Sequence, residues 1–385
     1  MTAPADTFSE SSEDARLVAV AEAFLGSGAV QKIRSLGNGN VNDTYLLNAG
    51  NGAYVLQRLN TAVFANPEQV MRNLQVLGDH VQPKLARESG DTSRGRWELP
   101  KVIAPHSGDV LWHCCPDGGF WRCTSFIQNA CSIDRIEHQD QARQVGAGLG
   151  RFHRLIHDIP CDQLSDTLEG FHVTPRYLTL YHRALVRSQA SRCASTDHCM
   201  AFIRDREQFC TVLEQARHRG ELTIRPIHGD PKCNNVMLDQ SSGEAIALID
   251  LDTVKPGLIH YDIGDALRSC CNPAGEECEE LDQVVFSMDL AQAMLQGYLS
   301  EAQSFLSPWD LHYIPASARL ISFELGLRFF TDHLNGNVYF KANHPTHNLE
   351  RALVQFRLTE SIEGQFQQLE HLVNELASAA SGASC

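Results

Sequence analysis

Positive charge is scarce in this sequence of 385 residues. Lys and Arg number 32 against 47 Asp and Glu, which gives a net charge of −15 at neutral pH. A general nucleic-acid-binding protein needs clustered basic side chains to neutralise phosphates, so the composition argues against that class. It does not exclude a nucleotide as a ligand, because a nucleotide needs only local positive charge and Mg²⁺.

Two other features are missing from the sequence. No apolar run is long enough to span a bilayer, and the polar start lacks the pattern of a signal peptide, so we expect a cytoplasmic protein without a membrane partner. The thirteen cysteines contain no Cys-x-x-Cys spacing. Their pattern therefore argues against a zinc site and favours reduced, mostly buried thiols.

The residues that can carry chemistry are concentrated in two neighbouring segments. Residues 227–236 read Ile-His-Gly-Asp-Pro-Lys-Cys-Asn-Asn-Val, which places Asp230, Lys232 and Asn235 in one short loop. A few residues later, an apolar run that is typical of a strand ends at Asp250. This order, Asp-x-Lys-x-x-Asn followed by an aspartate at the end of a strand, is typical of the catalytic loop and metal-binding strand of the protein-kinase-like fold.

The residue types at these positions suit phosphoryl transfer. Asp230 can accept the proton of the attacking hydroxyl, and Asn235 and Asp250 offer the hard oxygen ligands that Mg²⁺ prefers. Lys232 can neutralise charge on the migrating phosphate. The plain alternative is a polar turn with two unrelated aspartates, which requires both the spacing and the strand to be coincidental. We expect His228 to orient the loop rather than to transfer protons.

The order of the predicted elements indicates an α+β protein with two lobes. Residues 1–13 show no periodicity, and we expect them to be disordered. Residues 14–129 predict an N-terminal nucleotide-binding lobe, mainly an antiparallel sheet with a helix inserted after its third strand. Residues 130–385 predict a larger, mainly helical C-terminal lobe that carries the catalytic and substrate-binding residues. This is the bilobal layout of the protein-kinase-like fold.

Hydrophobic periodicity gives the individual elements. Spacing typical of amphipathic helices occurs at residues 16–25, 67–86, 141–156, 177–186, 199–217, 281–299, 316–335 and 349–379. Strand-like runs occur at residues 33–47 (interrupted by a glycine-rich turn), 53–59, 99–103, 110–113 and 120–126.

The glycine-rich turn and the third strand are candidates for nucleotide binding. The turn at Gly37, Asn38 and Gly39 can lie over phosphates, although by itself it predicts a plain hairpin equally well. The third strand carries Gln57 at the position where kinases usually have lysine, and Arg58 alternates to the opposite face. Either Arg58 reaches the phosphates through a local bulge, or another group anchors them.

Three other patterns allow more than one interpretation. His153 and His157 have a spacing that suits a metal, but without a third ligand they predict one packed and one surface histidine. Asp262 is expected to hold the catalytic loop by hydrogen bonds to nearby backbone. Arg328 and Asp332 share a helix face before an Asn-Gly turn with aromatic neighbours, which suits a surface ion pair and a substrate contact equally.

The chain resembles the aminoglycoside/choline phosphotransferase superfamily over about residues 30–345 and, within it, the N-acetylhexosamine 1-kinases. The segments that carry the closer resemblance include Gly-Asn-Gly-Asn-Val-Asn-Asp-Thr-Tyr at 37–45, Leu-Gln-Arg-Leu-Asn-Thr at 56–61, Lys-Cys-Asn-Asn-Val at 232–236, Ile-Asp-Leu-Asp-Thr-Val at 249–254 and Gly-Leu-Arg-Phe at 326–329. In these kinases a glutamine also stands at the position of Gln57.

The resemblance implies an ATP- and Mg²⁺-dependent kinase that phosphorylates the anomeric hydroxyl of an N-acetylhexosamine, GlcNAc or GalNAc. By position, Asp230 would be the base, Asn235 and Asp250 would hold the metal, and the adenine would lie near Phe126 and Gln128. The residues that would line the sugar site are Asn40, Asn42, Arg328, Asp332 and Tyr339.

Two alternatives remain open at this point. The acceptor could be another small alcohol, such as another hexose, an aminoglycoside, choline or homoserine. The chain could also be a nucleotide-binding regulator without turnover, although the presence of Asp230, Lys232, Asn235 and Asp250 argues against that function.

Overall fold

The structure is a computed structural model that describes residues 12–37, 41–88, 95–106, 108, 110–188 and 191–382. The expected disorder of residues 1–13 falls almost entirely outside this range. The chain forms two compact units: the first comprises Met1–Gln75 and Pro100–Gln128, and the second Val76–Leu99 and Asn129–Cys385. Strands dominate the first unit and helices the second, which is the predicted α+β organisation.

The first unit is an antiparallel sheet in the spatial order β1-β2-β3-β6-β4, with β5 also paired to β6. The strands are β1 (Val30–Ser35), β2 (Asp43–Ala49), β3 (Gly52–Leu59), β4 (Val102–Ile103), β5 (His113–Cys114) and β6 (Phe120–Ser125). Helix α1 (Ser12–Leu25) packs on one face of this sheet. Leu56 and Trp121 lie on the face of the sheet that packs against α1. Because strand side chains alternate between faces, the residues next to them in the sequence point to the other face.

Helix α2 (Pro67–Glu88) begins at a proline, which suits a first helical position because its missing N–H would have no partner there. Its C-terminal part is grouped with the second unit. Lys84 Nζ donates to Leu155 O at 2.9 Å, and the Glu88 carboxylate pairs with Arg151 at 3.1 Å. These polar contacts join the end of α2 to residues 151–155 and explain why residues 76–99 group with the second unit rather than with the sheet.

The second unit is mainly helical. Its helices are α3 (Gln139–Ile156), α4 (Thr174–Arg187), α5 (Ala194–Arg204), α6 (Val212–His218), α7 (Ile259–Cys270), α8 (Met288–Ala302), α9 (Pro308–His312), α10 (Ile314–Leu334), α11 (His347–Gly364) and α12 (Phe366–Gly382). Short antiparallel strands lie among them: β7 (Ala130–Cys131), β9 (Val236–Asp239) and β10 (Ala245–Leu248) form one sheet, and β8 (Arg225–Ile227) pairs with β11 (Lys255–Gly257).

Three predicted helices differ from those observed. The single helix expected at 349–379 is two helices that meet after Gly364, a residue of low helix propensity. The helix expected at 199–217 is interrupted by a 3₁₀ turn at Glu207–Thr211. The helix expected from residue 281 begins at Met288, because Ser287 caps it by accepting a hydrogen bond from Leu290 N.

Twelve of the thirteen cysteines lie in the described ranges, where all are free thiols. Six of the twelve are buried, so the expectation that most of them are buried holds for only half. Across those same ranges, no helix combines the length and the apolar character needed to cross a bilayer.

Two glycines allow α3 and α8 to approach each other at backbone distance. A Cβ added to Gly146 would lie 1.9 Å from Met294 O, and one added to Gly297 would lie 1.9 Å from Arg143 O. Both obstacles are backbone carbonyls, which cannot move aside as a flexible side chain can. The pair therefore fixes the contact between α3 and α8, and α3 in turn packs against β10.

We predict that Gly146→Ala destabilises the protein by about 3 kcal/mol, because the added methyl group forces the two helices apart. The measurement is the free energy of unfolding from a urea titration followed by circular dichroism.

Gly78→Ala is the matched control. Gly78 also lies inside a helix, but an added Cβ meets nothing within 4 Å, so we expect this change to stabilise the protein by about 0.5–1 kcal/mol through helix propensity. If Gly146→Ala were as stable as Gly78→Ala, the close approach of α3 and α8 would not matter for folding.

Candidate active site

The loop that carries Asp230 follows β8 and contains a required glycine. Gly229 has φ +90°, and a Cβ there would lie 2.6 Å from Thr253 O, so both conformation and space select glycine. Thr253 Oγ1 donates to His228 O at 2.8 Å. The turn after β10 is thereby fastened to the start of the loop.

A buried carboxylate on α7 holds the same loop from the other side. Asp262 is fully buried, and its two oxygens accept hydrogen bonds from His228 N at 2.6 Å and Gly229 N at 2.8 Å. His153 Nε2 donates to it as well, at 2.8 Å. The prediction that Asp262 holds the loop through its backbone is confirmed.

These three donors also determine the charge of Asp262. Burial raises the pKa of the carboxyl group, but the hydrogen bond and charge of His153, together with the loop N–H groups, lower it by more, so the group is ionised. Tyr298 OH completes the arrangement at 3.0 Å from His153 Nδ1. His153 is thus the packed histidine of the predicted pair, while His157 stacks on Phe305 with ring centroids 4.8 Å apart.

His228 orients the loop, as predicted. Its Nδ1 accepts the backbone N–H of Asp230 at 3.2 Å, and its Nε2 donates to Ile249 O at 3.0 Å. Burial lowers the pKa of this imidazole. A neutral imidazole with one donor and one acceptor is therefore engaged on both sides and links the loop to the residue before Asp250.

A second buried pair supports the loop from α10. His172 lies 2.8 Å from Gly229 O through Nε2 and 2.9 Å from Glu324 Oε1 through Nδ1. Both partners can only accept, so both ring nitrogens donate and the imidazole is protonated. Burial lowers the pKa of His172, but the Glu324 carboxylate raises it by more, and the net shift is upward. Thr174 Oγ1 donates to the other Glu324 oxygen at 2.7 Å.

The three loop residues that the sequence predicts to act together do lie together. Lys232 Nζ is 3.0 Å from Asp230 Oδ2, and both side chains are partly exposed. Asn235 Nδ2 donates to Asp230 O at 2.7 Å. The Asp230 charge raises the pKa of Lys232 more than burial lowers it, so the ammonium remains charged. A carboxylate, a cation and an amide thus occupy one small surface.

Asp250 follows β10 and has an unusual backbone conformation. Its φ of 62° and ψ of 54° lie in the left-handed region, which is uncommon for a residue with a side chain. Such conformations are concentrated at functional sites, where the surrounding structure holds them in place. Ile249 N donates to Asn235 O at 2.9 Å, so the segment before Asp250 is fixed to the loop.

Asn235 and Asp250 fit a magnesium ion. Because Asn235 Nδ2 is used by Asp230 O, its Oδ1 is the atom that remains for a cation. An amide oxygen and an exposed carboxylate form an all-oxygen set, and Mg²⁺ takes one or two carboxylates and completes its octahedron with water and phosphate. Within the described ranges there is no cluster of three His, Cys, Asp or Glu residues suited to a metal, and a magnesium site of this kind does not need one.

A cavity of about 450 Å³ lies between α4 and the end of α10. Its walls include four arginines, Arg176, Arg183, Arg187 and Arg328, and the two acidic residues Glu169 and Asp332. The Arg328 guanidinium is surrounded by the rings of Phe171, Tyr177 and Phe340, with its carbon 4.9, 5.0 and 5.4 Å from their centroids.

Arg328 lies in the wall of this cavity. Burial lowers the pKa of its guanidinium, but nearby groups, the Asp230 carboxylate among them, raise it by more, so the side chain stays charged. The aromatic rings fix the guanidinium by cation–π contacts, and no carboxylate among the described residues forms an ion pair with it. Five N–H donors are therefore held at the edge of the cavity.

In the first unit, Gln57 is fixed by a cation that the sequence analysis missed. Arg122 on β6 stands directly opposite Gln57 on β3, and its Nε and Nη2 donate to Gln57 Oε1 at 3.0 and 2.8 Å. Gln57 Nε2 in turn donates to Thr44 Oγ1 at 3.1 Å. A positive charge therefore stands beside Gln57, on the neighbouring strand.

Arg58 does not take that position. The pairing of β3 with β2 and β6 is continuous through Gln57 and Arg58, so the bulge that could turn Arg58 inward is not present in these described strands. Arg58 stands opposite Trp121 on the face covered by α1, and its charge acts on Asp117. The cofactor role expected for Arg58 is corrected for this geometric reason.

Most of the chain matches a known protein family. The sequence profile of the phosphotransferase enzyme family matches residues 32–304. The chain belongs to this family.

Solved structures agree with the fold of this phosphotransferase. An aminoglycoside phosphotransferase from Alicyclobacillus acidocaldarius is 16% identical with a TM-score of 0.60, and the match covers 92% of this chain and 96% of that one. A microcompartment-associated aminopropanol kinase is 17% identical with a TM-score of 0.60 and coverage of 92% and 98%. A spectinomycin phosphotransferase in complex with ADP and spectinomycin is 13% identical with a TM-score of 0.53 and coverage of 95% and 98%. At these identities the likeness establishes the protein-kinase-like fold.

The remaining predicted residues of this phosphotransferase have varied positions. Gly37 has φ +71°, which suits a phosphate-covering turn, but Asn38, Gly39 and Asn40 lie outside the described residues. Asn42 Oδ1 accepts a hydrogen bond from the backbone N–H of Asn60 at 2.9 Å, which fixes the end of β3. Phe126 and Gln128 lie after β6, where Phe126 N donates to Ala53 O at 3.2 Å.

Asp332 has a different role from the one the sequence suggested. Its oxygens accept four hydrogen bonds, from Val338 N, Tyr339 N, Phe340 N and Asn348 Nδ2, at 2.8–3.0 Å. These fill the lone-pair positions of a carboxylate that is only 4% exposed. Asp332 therefore holds the loop that presents Tyr339, and neither a surface pair with Arg328 nor direct substrate contact fits its hydrogen bonds.

Sequence reasoning could not have found the missed residues. Arg122 and Gln57 are 65 positions apart, and the register that places them opposite each other joins two strands that are not neighbours in the sequence. His172 and Glu324 are 152 positions apart, and no local pattern links them.

We predict that the protein loses stability as the pH rises through the raised pKa of His172. The folded-state pKa is above the ordinary value of about 6.5, so the contribution of the protonated ring is fully present below that pH and disappears above the folded-state pKa. His172→Asn should cost about 2 kcal/mol at pH 6 and less at higher pH. The measurement is the free energy of unfolding between pH 6 and 9.

The control for this experiment is His182→Asn, because His182 is half exposed and its ion pair, with Glu207 at 3.3 Å, lies at the surface. It should leave the pH profile unchanged. The groups that act on His172 are Glu324, Asp265 and Arg328, and an unchanged profile for His172→Asn would assign the pH dependence to one of them.

Proposed function

We propose that this phosphotransferase is an ATP- and Mg²⁺-dependent sugar kinase that phosphorylates the anomeric hydroxyl of an N-acetylhexosamine. The observation that carries the proposal is the Arg328 guanidinium, fixed among three aromatic rings beside a cavity and within electrostatic reach of Asp230. Polar donors beside aromatic faces suit the hydroxyl and acetamido groups of an N-acetylated sugar, whose rings and methyl groups pack on aromatic side chains.

The charge of the cavity favours a neutral or negative acceptor over an amine. Aminoglycosides and aminopropanol, the acceptors of the structural neighbours, carry amino groups that are protonated at neutral pH. In this cavity four arginines face two acidic side chains. Asp332 already accepts four hydrogen bonds, and Glu169 lies 3.7 Å from Arg176. A cationic acceptor would therefore meet repulsion without a carboxylate available to offset it.

The chemical roles follow from the loop. Asp230 positions the acceptor hydroxyl and accepts its proton, and Lys232 stabilises the charge of the transferring phosphoryl group. Asn235 and Asp250 would hold Mg²⁺, which neutralises phosphate oxygens when bound. In the first unit, Arg122 supplies positive charge for the nucleotide phosphates through its contact with Gln57.

Asp230→Asn is expected to lower kcat for an N-acetylhexosamine by about 100-fold or more, because an amide cannot accept the hydroxyl proton. The dissociation constant for ATP should remain nearly unchanged. The assay measures ADP release with N-acetylglucosamine, N-acetylgalactosamine, kanamycin, choline and homoserine as acceptors.

Asp205→Asn, at an exposed position that pairs with Arg204, is the control and should keep full activity. Turnover of kanamycin or choline without turnover of either N-acetylhexosamine would refute the sugar assignment. Full activity of Asp230→Asn would remove Asp230 from the mechanism.

A charge-swap experiment tests the nucleotide side. Arg122→Gln should raise KM for ATP about tenfold, because a charged hydrogen-bonding partner of the phosphates is lost. Gln57→Lys combined with Arg122→Gln should restore most of the affinity by placing the cation on β3. KM for the acceptor should change little in either variant.

Arg58→Gln is the matched control, since Arg58 occupies the face of the sheet covered by α1, and its KM for ATP should equal that of the wild type. Thermal melting of each variant separates loss of folding from loss of binding. A folded Arg122→Gln variant with normal KM for ATP would show that another group anchors the phosphates.

A further inference from the structure

The cavity beside Arg328 concentrates positive charge in a protein that is strongly acidic overall. The net charge of the chain is −15, yet four of the sixteen residues that line this cavity are arginines. The acidic side chains in the wall are already used, because Asp332 holds the loop at residues 338–340 and Glu169 is paired with Arg176. The positive charge of the cavity is therefore not balanced by its own walls.

Two of the arginines form a row on α4. Arg183 and Arg187 are four positions apart, and Arg176 and Leu180 continue the same helix face toward the N-terminus of α4. Among the described residues, no carboxylate forms an ion pair with Arg183 or Arg187, whereas most other surface arginines on neighbouring helices have one. Both side chains are exposed at the cavity wall and are distinct from Arg328, which the aromatic rings hold in place.

The cavity is also larger and more apolar than a single sugar ring requires. At about 450 Å³ it falls in the range of about 300–1,000 Å³ in which pockets enclose drug-sized ligands. Leu180, Val338 and Tyr339 are 41%, 78% and 56% exposed, and all three line it. Exposed apolar side chains gathered around one cavity indicate a binding surface.

We infer that Arg183 and Arg187 form an anion subsite, and that the acceptor of this kinase is an N-acetylhexosamine carrying a negatively charged substituent, either a carboxylate or a phosphate. The inference rests on the proposed function, since it assigns the sugar ring to Arg328 and Tyr339 and adds a second contact. Guanidinium groups bind both kinds of anion through paired N–H donors, so the shared chemistry is a pair of negatively charged acceptor oxygens on one group.

The test compares three acceptors in steady-state kinetics: N-acetylglucosamine, its 6-phosphate and its 6-carboxylate (the N-acetylated uronic acid). We expect KM to be at least about tenfold lower for one of the charged acceptors than for the neutral sugar, because charged hydrogen bonds are the stronger ones. The acceptor that is favoured identifies phosphate or carboxylate as the substituent. Raising the salt concentration should weaken this preference, since exposed charges are screened.

The variant Arg183→Gln/Arg187→Gln should raise KM for the favoured charged acceptor about tenfold or more and so reduce the ratio of its kcat/KM to that of N-acetylglucosamine by a similar factor. Arg204→Gln/Arg217→Gln is the matched control, because it makes the same change of net charge at exposed positions outside the cavity wall. The control should behave like the wild type with all three acceptors.

The outcomes separate the two proposals. Turnover of N-acetylglucosamine with no preference for either charged acceptor, or no effect of the Arg183→Gln/Arg187→Gln change, overturns the anion subsite and leaves the sugar-kinase proposal standing. Absence of turnover with all three acceptors, together with turnover of an amine acceptor, overturns the proposed function itself.

Discussion

The structure of the active site depends on one buried carboxylate. Asp262 accepts two consecutive backbone N–H groups, those of His228 and Gly229, and a third hydrogen bond from His153. A buried charge of this kind is tolerated only when its hydrogen bonds are complete. Its position on α7 fixes the loop immediately before Asp230, so the backbone that presents this aspartate is oriented by a residue more than thirty positions away.

The loop is held by opposite means on its two sides. Asp262 accepts hydrogen bonds from backbone N–H groups of the loop. Protonated His172 instead donates to the carbonyl of Gly229, and its charge is neutralised by Glu324. Together they use the N–H and C=O groups around a glycine that has no side chain to contribute. The loop is therefore held at its start, while the side chains of Asp230 and Lys232 stay partly exposed and Asn235 is buried beside them. Preorganisation of this kind is where electrostatic catalysis gains most.

Charge is arranged locally rather than through the whole molecule. A chain with a net charge of −15 places Arg122 behind Gln57 and four arginines around the cavity beside α4. These concentrations of cations are what a phosphotransferase with a nucleotide and a neutral or anionic acceptor requires. The acidic remainder of the surface does not oppose them strongly, because solvent and salt screen charges beyond about 10 Å.

Local patterns in the sequence indicated the order of the strands and helices and most helix positions, and they were least accurate where ends depend on packing. The helices expected at 349–379 and 199–217 are each divided in the structure. The hydrophobic periodicity continues across the break, and the end of the first helix is set by a cap or turn that the periodicity does not reveal. Asp262 was correctly predicted to hold the loop by hydrogen bonds, because it lies in a motif shortly after the predicted strand that ends at Asp250 and nearby backbone is within its reach. Arg58 was misplaced because a bulge in β3 was allowed that the strand pairing excludes.

The sequence by itself determined which residues are candidates for phosphoryl transfer, since Asp230, Lys232, Asn235 and Asp250 lie within 21 consecutive positions in a recognisable order. Only the tertiary structure decided what surrounds them. The contacts between His172 and Glu324, between Arg122 and Gln57, and between Arg328 and its aromatic rings join residues far apart in the chain. Such contacts arise from the packing of whole helices and strands, which no local pattern of residues encodes.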